Sequence, residues 1–442
     1  MQTKKIISLG MAAAMVPGLL IGCGNASTSE STAAAAESVS ATEATAASET
    51  AATAGDASAA GQSVTLTVWN EPNSDESLNM YAQCEKATGI HINVTVIPES
   101  DYSSKLNQMV STGDSSSDIY VVWENDIKNF AQAGGIDKLD DYLAKSSIQT
   151  NDMIDAVSKL SEGLGGTYGL PWCAATELMY YNKDMFDKAG IAYPTNDWSY
   201  ADFKSAAQKL TQKSGDATQV YGFDLPNTQT WWAGIGGAGD QVYDPASGKM
   251  VIGDGAKAFV SDCADMVKNG VMPEPSSDTA DNFAAGKAAM SWQGSWVIGT
   301  YKDTLPFKWD IATIPTNKVK YNTLHTGFYT LNSKSKNKDA AFKVIEYLMS
   351  EEGQTVNSKA SGNMSAIKSI AAKGAWKVEG TPIQNWDAIT DSLNAGVFGY
   401  TCLPSGVTSN AISEFNNALL GTETADQAVE KASQYAAETI GY

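Results

Sequence analysis

The stretch Val64-Thr65-Leu66-Thr67-Val68-Trp69 alternates apolar and polar residues with a period of two, which is typical of a β-strand. A second alternating stretch covers residues 90–96, and a third, mostly apolar stretch covers residues 118–122. Between them, apolar residues at helical spacing predict helices over residues 75–86 and 102–111. The order strand, helix, strand, helix, strand favours a parallel α/β sheet.

The rest of the chain continues this mixture of short strands and helices. Ser199 with Asp202, and Thr424 with Gln427, match the capping box that begins a helix. A turn-rich stretch at residues 244–248 predicts a β-hairpin over residues 241–252. The chain has 442 residues, more than one typical hydrophobic core contains, so we expect two lobes.

The charge balance narrows the classes of ligand. The chain carries 30 basic residues against 50 acidic ones, a formal net charge of −20, and every basic residue is Lys. Arg is the usual bidentate partner of carboxylates and phosphates, so its absence argues against an anionic ligand. A nucleic-acid partner is excluded because an acidic chain repels phosphates. Only two His residues are present, which excludes a three-His zinc site, and no motif predicts a metal or an organic cofactor.

The N-terminus predicts export and a lipid anchor. Two lysines precede an apolar stretch at residues 6–21, as in a signal peptide. The stretch ends in Leu20-Ile21-Gly22-Cys23, which resembles the bacterial lipobox, whose Cys is diacylated and becomes the new N-terminus. We therefore expect a signal peptide at residues 1–22, a lipidated Cys23, and a disordered Ala/Ser/Thr-rich tether up to residue 62. This places the protein on the outer face of the bacterial cytoplasmic membrane.

Four further Cys residues follow the tether: Cys84, Cys173, Cys263 and Cys402. Their spacing matches neither a disulfide framework nor a metal site. We interpret them as small buried apolar side chains, although export leaves disulfides permitted.

Five stretches occur in an order and spacing shared with a known family. They are Ser117-Asp118-Ile119, Gly166-Thr167-Tyr168-Gly169-Leu170-Pro171, Tyr181-Asn182-Lys183-Asp184-Met185-Phe186, Phe283-Ala284-Ala285-Gly286-Lys287-Ala288-Ala289-Met290 and Gly294-Ser295-Trp296. The pattern resembles the family 1 extracellular solute-binding proteins, the sugar-capturing lipoproteins of ABC importers that are related to maltose-binding protein. It departs at Ser117, where the family usually has Pro.

The resemblance implies a two-lobed α/β fold of the periplasmic-binding-protein type, with the ligand in a cleft between the lobes. The N-lobe is expected at residues 63–175 and 323–362, and the C-lobe at residues 176–322 and 363–442. The chain is then expected to cross between the lobes near residues 172–177, 322–328 and 361–365.

Sugars present CH faces that suit aromatic rings. Trp296 matches the aromatic residue that stacks on sugar in relatives, and Trp292 lies in the strand just before it. Of the adjacent pair Trp231 and Trp232, we expect one in the core and one in the cleft, and we prefer Trp231 for the cleft. By resemblance, Trp172 lies on the first crossing and Tyr400, next to Phe398, in a glycine-rich loop at the site.

Sugar hydroxyls suit carboxylates and amides. Asn70 and Glu71 follow the first predicted strand, and Asn125 and Asp126 follow the third, where relatives contact sugar. Glu177 resembles a crossing carboxylate that bonds sugar. His325 lies on the second crossing. The sequence allows it either a ligand contact or a purely structural role.

Three classes of function fit a sugar-binding cleft to different degrees. The resemblance implies a monomeric binding protein that captures a neutral oligosaccharide and delivers it to ABC permease subunits, with no enzymatic step. The alternative is a secreted glycoside hydrolase, which needs only two suitably placed carboxylates among the 50 acidic residues. A surface adhesin predicts repeats or a β-sandwich, and the sequence shows neither. Cleavage of candidate oligosaccharides on incubation separates the first two classes.

Overall fold

The computed structural model describes residues 61–226, 229–245, 247–276 and 281–441. The predicted signal peptide, Cys23 and the tether up to residue 60 lie outside the described residues. The strands are β1 Ser63–Val68, β2 His91–Val96, β3 Ile119–Trp123, β4 Leu170–Pro171, β5 Ala175–Asn182, β6 Gln212–Ser214, β7 Ala217–Val220, β8 Val242–Asp244, β9 Lys249–Val251, β10 Met290–Gly294, β11 Trp309–Ala312, β12 Asn322–His325, β13 Gly327–Leu331 and β14 Gly396–Val397.

Sixteen α-helices accompany these strands in the described part of the chain. They are α1 Met80–Thr88, α2 Glu99–Thr112, α3 Ile127–Gln132, α4 Asp140–Leu143, α5 Asp155–Leu164, α6 Lys183–Ala189, α7 Tyr200–Leu210, α8 Trp231–Gly237, α9 Asp254–Lys268, α10 Ile298–Thr304, α11 Lys338–Leu348, α12 Glu351–Ser361, α13 Lys368–Ala371, α14 Asp387–Asn394, α15 Ser405–Leu419 and α16 Ala425–Ile440. Short 3-10 helices lie at Glu76–Leu78, Thr150–Asp152, Ser295–Val297 and Tyr400–Cys402. None of these helices is long and apolar enough to cross a membrane.

The first sheet, in the order β2-β1-β3-β13-β4, forms the N-lobe. β1 is parallel to β2 and β3, which confirms the parallel α/β prediction. The helix predicted over residues 75–86 is wrong in its first turn. A 3-10 turn precedes the helix, and the Asn79 side chain accepts hydrogen bonds from the amides of Tyr81 and Ala82, so α1 begins at Met80.

The second sheet, in the order β10-β5-β12-β14 with β11 also paired to β5, forms the C-lobe. β5 is buried along its whole length because both faces of the sheet are covered. Met179 and Tyr181 pack into one core, and Leu178 and Tyr180 pack into the other. Because side chains alternate along a strand, Glu177 lies on the same face of β5 as Met179 and Tyr181.

The strand pairings show where the chain passes from one sheet to the other. β12 pairs with β5 through Leu324 and Thr176, whereas β13 pairs with β3. The crossing is therefore at Thr326, and residues 323–325 belong to the C-lobe sheet, not to the N-lobe as predicted. Met364 and Ala366 pack against a C-lobe core, whereas Ile367 and Ile370 pack against the N-lobe core, so both lobes use residues beyond the boundary predicted at residue 362.

Several local predictions are confirmed. Ser199 with Asp202 and Thr424 with Gln427 both form capping boxes, at the starts of α7 and α16. β8 and β9 form the predicted antiparallel hairpin. The four Cys residues of the described part are free, three of them buried.

Candidate functional site

Three tryptophans lie where the N-lobe strands reach the crossings. Trp69 follows β1, Trp123 ends β3 and Trp172 follows β4. The ring centroids of Trp69 and Trp123 are 4.0 Å apart, and the Trp172 ring meets Trp69 edge-on at 5.3 Å. All three rings remain partly exposed. This N-lobe tryptophan cluster presents apolar ring surface at the carboxyl ends of parallel strands, where open α/β sheets bind ligands.

A small cavity of about 170 Å³ opens beside this cluster. Its lining includes three residues singled out in the sequence, Asn70, Glu71 and Trp172, together with Trp69 and Asn357 of α12. Asn70 and Glu71 are exposed. Asn357 Nδ2 donates to the Trp172 carbonyl at 2.8 Å, which fixes the backbone of the first crossing.

A histidine lies between two buried carboxyls at the second crossing. His325 Nε2 and Glu177 Oε1, on β5 of the C-lobe, share a hydrogen bond of 3.1 Å. His325 Nδ1 lies 3.7 Å from Oε1 of Glu124, in the turn after β3 of the N-lobe. Glu124 and His325 are 6% and 9% exposed and Glu177 is fully buried. We call Glu124, His325 and Glu177 the interlobe array.

Burial controls the charge state of the array. It raises the pKa of Glu124 to about 8, assisted by the nearby charge of Asp126, and raises the pKa of Glu177 well above its ordinary value. Burial also lowers the pKa of His325 to about 3. At neutral pH the array therefore favours protonated carboxyls and an uncharged imidazole, and protonated carboxyls can donate as well as accept hydrogen bonds.

Two C-lobe aromatic rings contact His325. The Trp296 ring meets it edge-on at 5.1 Å, and the Tyr400 ring at 5.8 Å. Trp296 packs directly over Gly294, where a Cβ would lie 2.2 Å from the indole, so only glycine leaves room for the ring. Trp296 stays partly exposed, whereas Tyr400 is 8% exposed and stacks on Trp232.

The preference for Trp231 as a cleft residue is wrong. Trp231 is 3% exposed and packs against Phe259 and Phe415 in the C-lobe core. The two tryptophans begin α8 side by side, and Trp232, which stacks on Tyr400, is only 1% exposed. Both therefore belong to the C-lobe core, and the expectation that one of them lies in the cleft is wrong. Trp292 is also a core residue, because its indole stacks on Phe259 at 5.9 Å and 8°.

The two predicted ligand residues in the turn after β3 differ in exposure. Asn125 is partly exposed, whereas Asp126 is 6% exposed. Burial raises the pKa of Asp126, and hydrogen bonds from the Ser103 and Asn107 side chains oppose the shift. Asp126 Oδ2 has no hydrogen-bond partner among the described residues.

A larger cavity of about 1170 Å³ lies between the lobes. Its lining includes Lys128 and α5 residues from the N-lobe, and Tyr243, Tyr321 and Phe398 from the C-lobe. Burial raises the pKa of the Tyr321 hydroxyl, and the nearby Glu177 carboxyl raises it further. Because Tyr321 lines the cavity, the cavity extends close to the array.

The structure thus brings Trp296, Glu177, Tyr400 and the turn holding Asn125 and Asp126 to the second crossing. It places Asn70, Glu71 and Trp172 together beside the first strand. The Trp69–Trp123 contact links the two groups.

Sequence reasoning missed Glu124 and the rings of Trp69 and Trp123 as site residues. Their position was the available signal. Trp123 is the last residue of β3, and Trp69 and Glu124 directly follow β1 and β3, whose carboxyl ends reach a crossing. His325 was left open because a lone His carries no motif.

The chain belongs to the bacterial extracellular solute-binding protein family, whose model matches residues 79–389. A binding protein of Brucella abortus is 28% identical over 277 residues, which are 60% of this chain and 66% of that protein, slightly less than two thirds of its length. The diacetylchitobiose-binding protein of Streptomyces coelicolor is 23% identical, over 89% of this chain and 92% of that protein.

Solved structures share the fold. The ABC substrate-binding protein of Listeria monocytogenes in complex with cycloalternan aligns with a TM-score of 0.76 and 24% identity, over 86% of this chain and 99% of that one. The GacH receptor of Streptomyces glaucescens, solved without ligand and with acarbose, aligns with a TM-score of 0.72 and 18% identity, over 85% and 98% of the two chains. The two-lobed α/β fold predicted from the sequence is therefore confirmed.

Proposed function

We propose that this family member captures a neutral oligosaccharide outside the cell and delivers it to the permease subunits of an ABC importer. The observation that carries the proposal is the second crossing, where partly exposed tryptophans of both lobes flank buried carboxyls. Rings take the CH faces of a sugar, and carboxyls take its hydroxyls. Relatives named for diacetylchitobiose and for galactooligosaccharides support a sugar ligand.

Both lobes contact such a ligand, which supports a mechanism of capture by closure. A sugar that touches Trp123 on one lobe and Trp296 on the other stabilises the closed arrangement by its differential affinity for it. The N-lobe tryptophan cluster and Trp296 offer partly exposed ring faces for more than one sugar ring, which favours an oligosaccharide over a monosaccharide. Asn70, Glu71, Asn125, Asp126, Trp172, Glu177, Trp296 and Tyr400 are the ligand residues that we propose.

Trp296→Ala is expected to weaken oligosaccharide binding by roughly 1–3 kcal/mol, because a stacked ring stabilises the complex. Calorimetry with maltotriose, diacetylchitobiose and a galactooligosaccharide measures the loss. Tyr435→Ala is the matched control, since Tyr435 is an exposed aromatic residue on α16 (39% exposed) away from the crossings. Unchanged affinity in the Trp296 variant would remove that residue from the site.

The ligand is expected to be uncharged. With no Arg and a net charge of −20, the protein repels carboxylates and phosphates unless Lys or backbone amides offset the repulsion. A neutral trisaccharide should therefore bind more tightly than its aldonic or uronic acid counterpart, with an affinity that changes little between low and high salt. Tighter binding of the acid, falling steeply as salt rises, would contradict this expectation.

We also propose that the protein is a monomer, anchored through acyl chains on Cys23 and carried above the membrane by its tether. Cys23→Ala is expected to move the protein from the membrane fraction to the soluble fraction, because no other proposed anchor replaces two acyl chains. Immunoblots of fractionated cells measure this, with Cys84→Ala as the control. Retention of the Cys23 variant in washed membranes would argue against the lipid anchor.

A further inference from the structure

His325 is the one residue whose side chain faces a carboxyl from each lobe in the array. Its two ring nitrogens point to different partners, Nε2 to Glu177 of the C-lobe and Nδ1 to Glu124 of the N-lobe. His325 is also the last residue of β12, directly before the chain crosses to β13. The His325 side chain therefore lies between a carboxyl of each lobe.

Glu177 Oε1 shares a hydrogen bond with His325, and Glu124 Oε1 lies 3.7 Å from the imidazole, while the second oxygen of each carboxyl is buried. Glu177 Oε2 and Glu124 Oε2 have no hydrogen-bond partner among the described residues. The buried hydroxyls of Tyr321 and Tyr400 also have no hydrogen-bond partner among the described residues. Burial raises the pKa of both hydroxyls, and the nearby Glu177 carboxyl raises it further, which places them close to Glu177. Buried polar atoms without partners cost free energy, which a ligand hydroxyl recovers when it binds.

We propose that His325 is a positioning residue of the sugar site, which holds Glu177 and Glu124 so that the second oxygen of each bonds a hydroxyl of the bound oligosaccharide. In this role Glu124 is the N-lobe residue that bonds the sugar opposite Glu177. Because His325 lies between the two carboxyls, their distance from each other is set when the lobes close. The inference rests on the proposed function and goes beyond it, because Glu177 is the only residue of the array that the resemblance assigned to the sugar.

The surroundings of the array support a role in hydrogen bonding and not in holding a charge. Titratable side chains approach it from the β3 turn, the first crossing, the residue before β12 and the residues after β14: Asp126, Cys173, Tyr321, Tyr400 and Cys402. Lys128 of α3 lies near Cys402. No group of three or more His, Cys, Asp or Glu side chains in the described ranges is arranged for a metal ion. Uncharged carboxyls are suited to a neutral polyol, which both donates and accepts.

The test compares His325→Leu and His325→Gln with the wild type, using maltotriose, diacetylchitobiose and a galactooligosaccharide as probes. His91→Leu is the matched control, because His91 also pairs with a glutamate, Glu85 at 2.8 Å, but lies exposed on β2. We expect His325→Leu to weaken binding of the sugar that the wild type prefers by about tenfold or more. His325→Gln should recover part of that loss, since an amide can still bond one carboxyl, and His91→Leu should bind as the wild type does.

A double-mutant cycle separates positioning from simple packing. Glu124→Gln is expected to weaken sugar binding clearly in the wild type and much less in the His325→Leu background, because the carboxyl is no longer held there. Equal effects in both backgrounds, or wild-type affinity in a folded His325→Leu protein, would overturn the inference. If His325→Leu does not fold, the same comparison is made with His325→Gln. A wild type that binds none of the three sugars would instead overturn the proposed function, and this role with it.

Discussion

Replacing Trp292 by Ala is expected to lower the free energy of unfolding by about 3–5 kcal/mol, the usual cost of removing a large aromatic side chain from a packed core. The indole is 1% exposed and lies among Phe203, Phe223 and Phe259, so a truncated side chain leaves a cavity that the C-lobe cannot fill. Urea denaturation followed by circular dichroism measures the loss.

The contrast with Trp296 makes this prediction specific. The two tryptophans are four residues apart, yet one belongs to the core and the other to the site. The variant at 292 should lose stability and keep the sugar affinity of its folded fraction, while the variant at 296 should do the reverse. A Trp292→Ala protein as stable as the wild type would contradict the described packing.

The second large effect concerns Glu124 and pH. Its pKa rises from an ordinary value of 4.5 to about 8 in the folded protein, because burial penalises the charged form. The folded state therefore binds more protons than the unfolded state between these values, and stability falls as pH rises through this window. Between pH 5 and pH 8 the wild type should lose roughly 3 kcal/mol relative to Glu124→Gln, which has no carboxyl to ionise.

The comparison with the Gln variant isolates this carboxyl. His325 has a lowered pKa, so it contributes the opposite trend, in which stability falls as pH drops below the ordinary value of 6.5. That trend is common to both proteins and cancels in their difference. Unfolding curves at pH 5, 6.5 and 8 provide the measurement, and parallel pH profiles for the two proteins would show that Glu124 is not buried as described.

Much of the fold could be predicted because local signals agree with tertiary structure. The β1 alternation, the capping boxes of α7 and α16 and the β8–β9 hairpin each depend on residues close in sequence. The start of α1 could not be placed, because Asp75 and Asn79 are both good caps and the sequence does not rank them. The crossing at Thr326 depends on which sheet each short strand joins, and pairings between distant strands decide that.

The candidate site was predictable in its parts but not in its arrangement. Trp296 and Glu177 followed from the family pattern. Trp231 and Trp232 stand in a polar stretch that suggested exposure for one of them, but α8 packs both rings against Phe415 in the C-lobe core. The array joins residues 124, 177 and 325, and no spacing in the sequence indicates that two carboxyls from different lobes meet one histidine.

The central claim is that a neutral oligosaccharide binds between the lobes and closes them, and small-angle X-ray scattering tests it most directly. Residues 62–442 are measured alone and during titration with maltotriose, diacetylchitobiose and a galactooligosaccharide. We predict that one of these sugars reduces the radius of gyration, and that the change saturates at one sugar per protein. A sugar that binds with measurable heat but leaves the scattering unchanged, or a protein that none of the three sugars affects, would contradict the account.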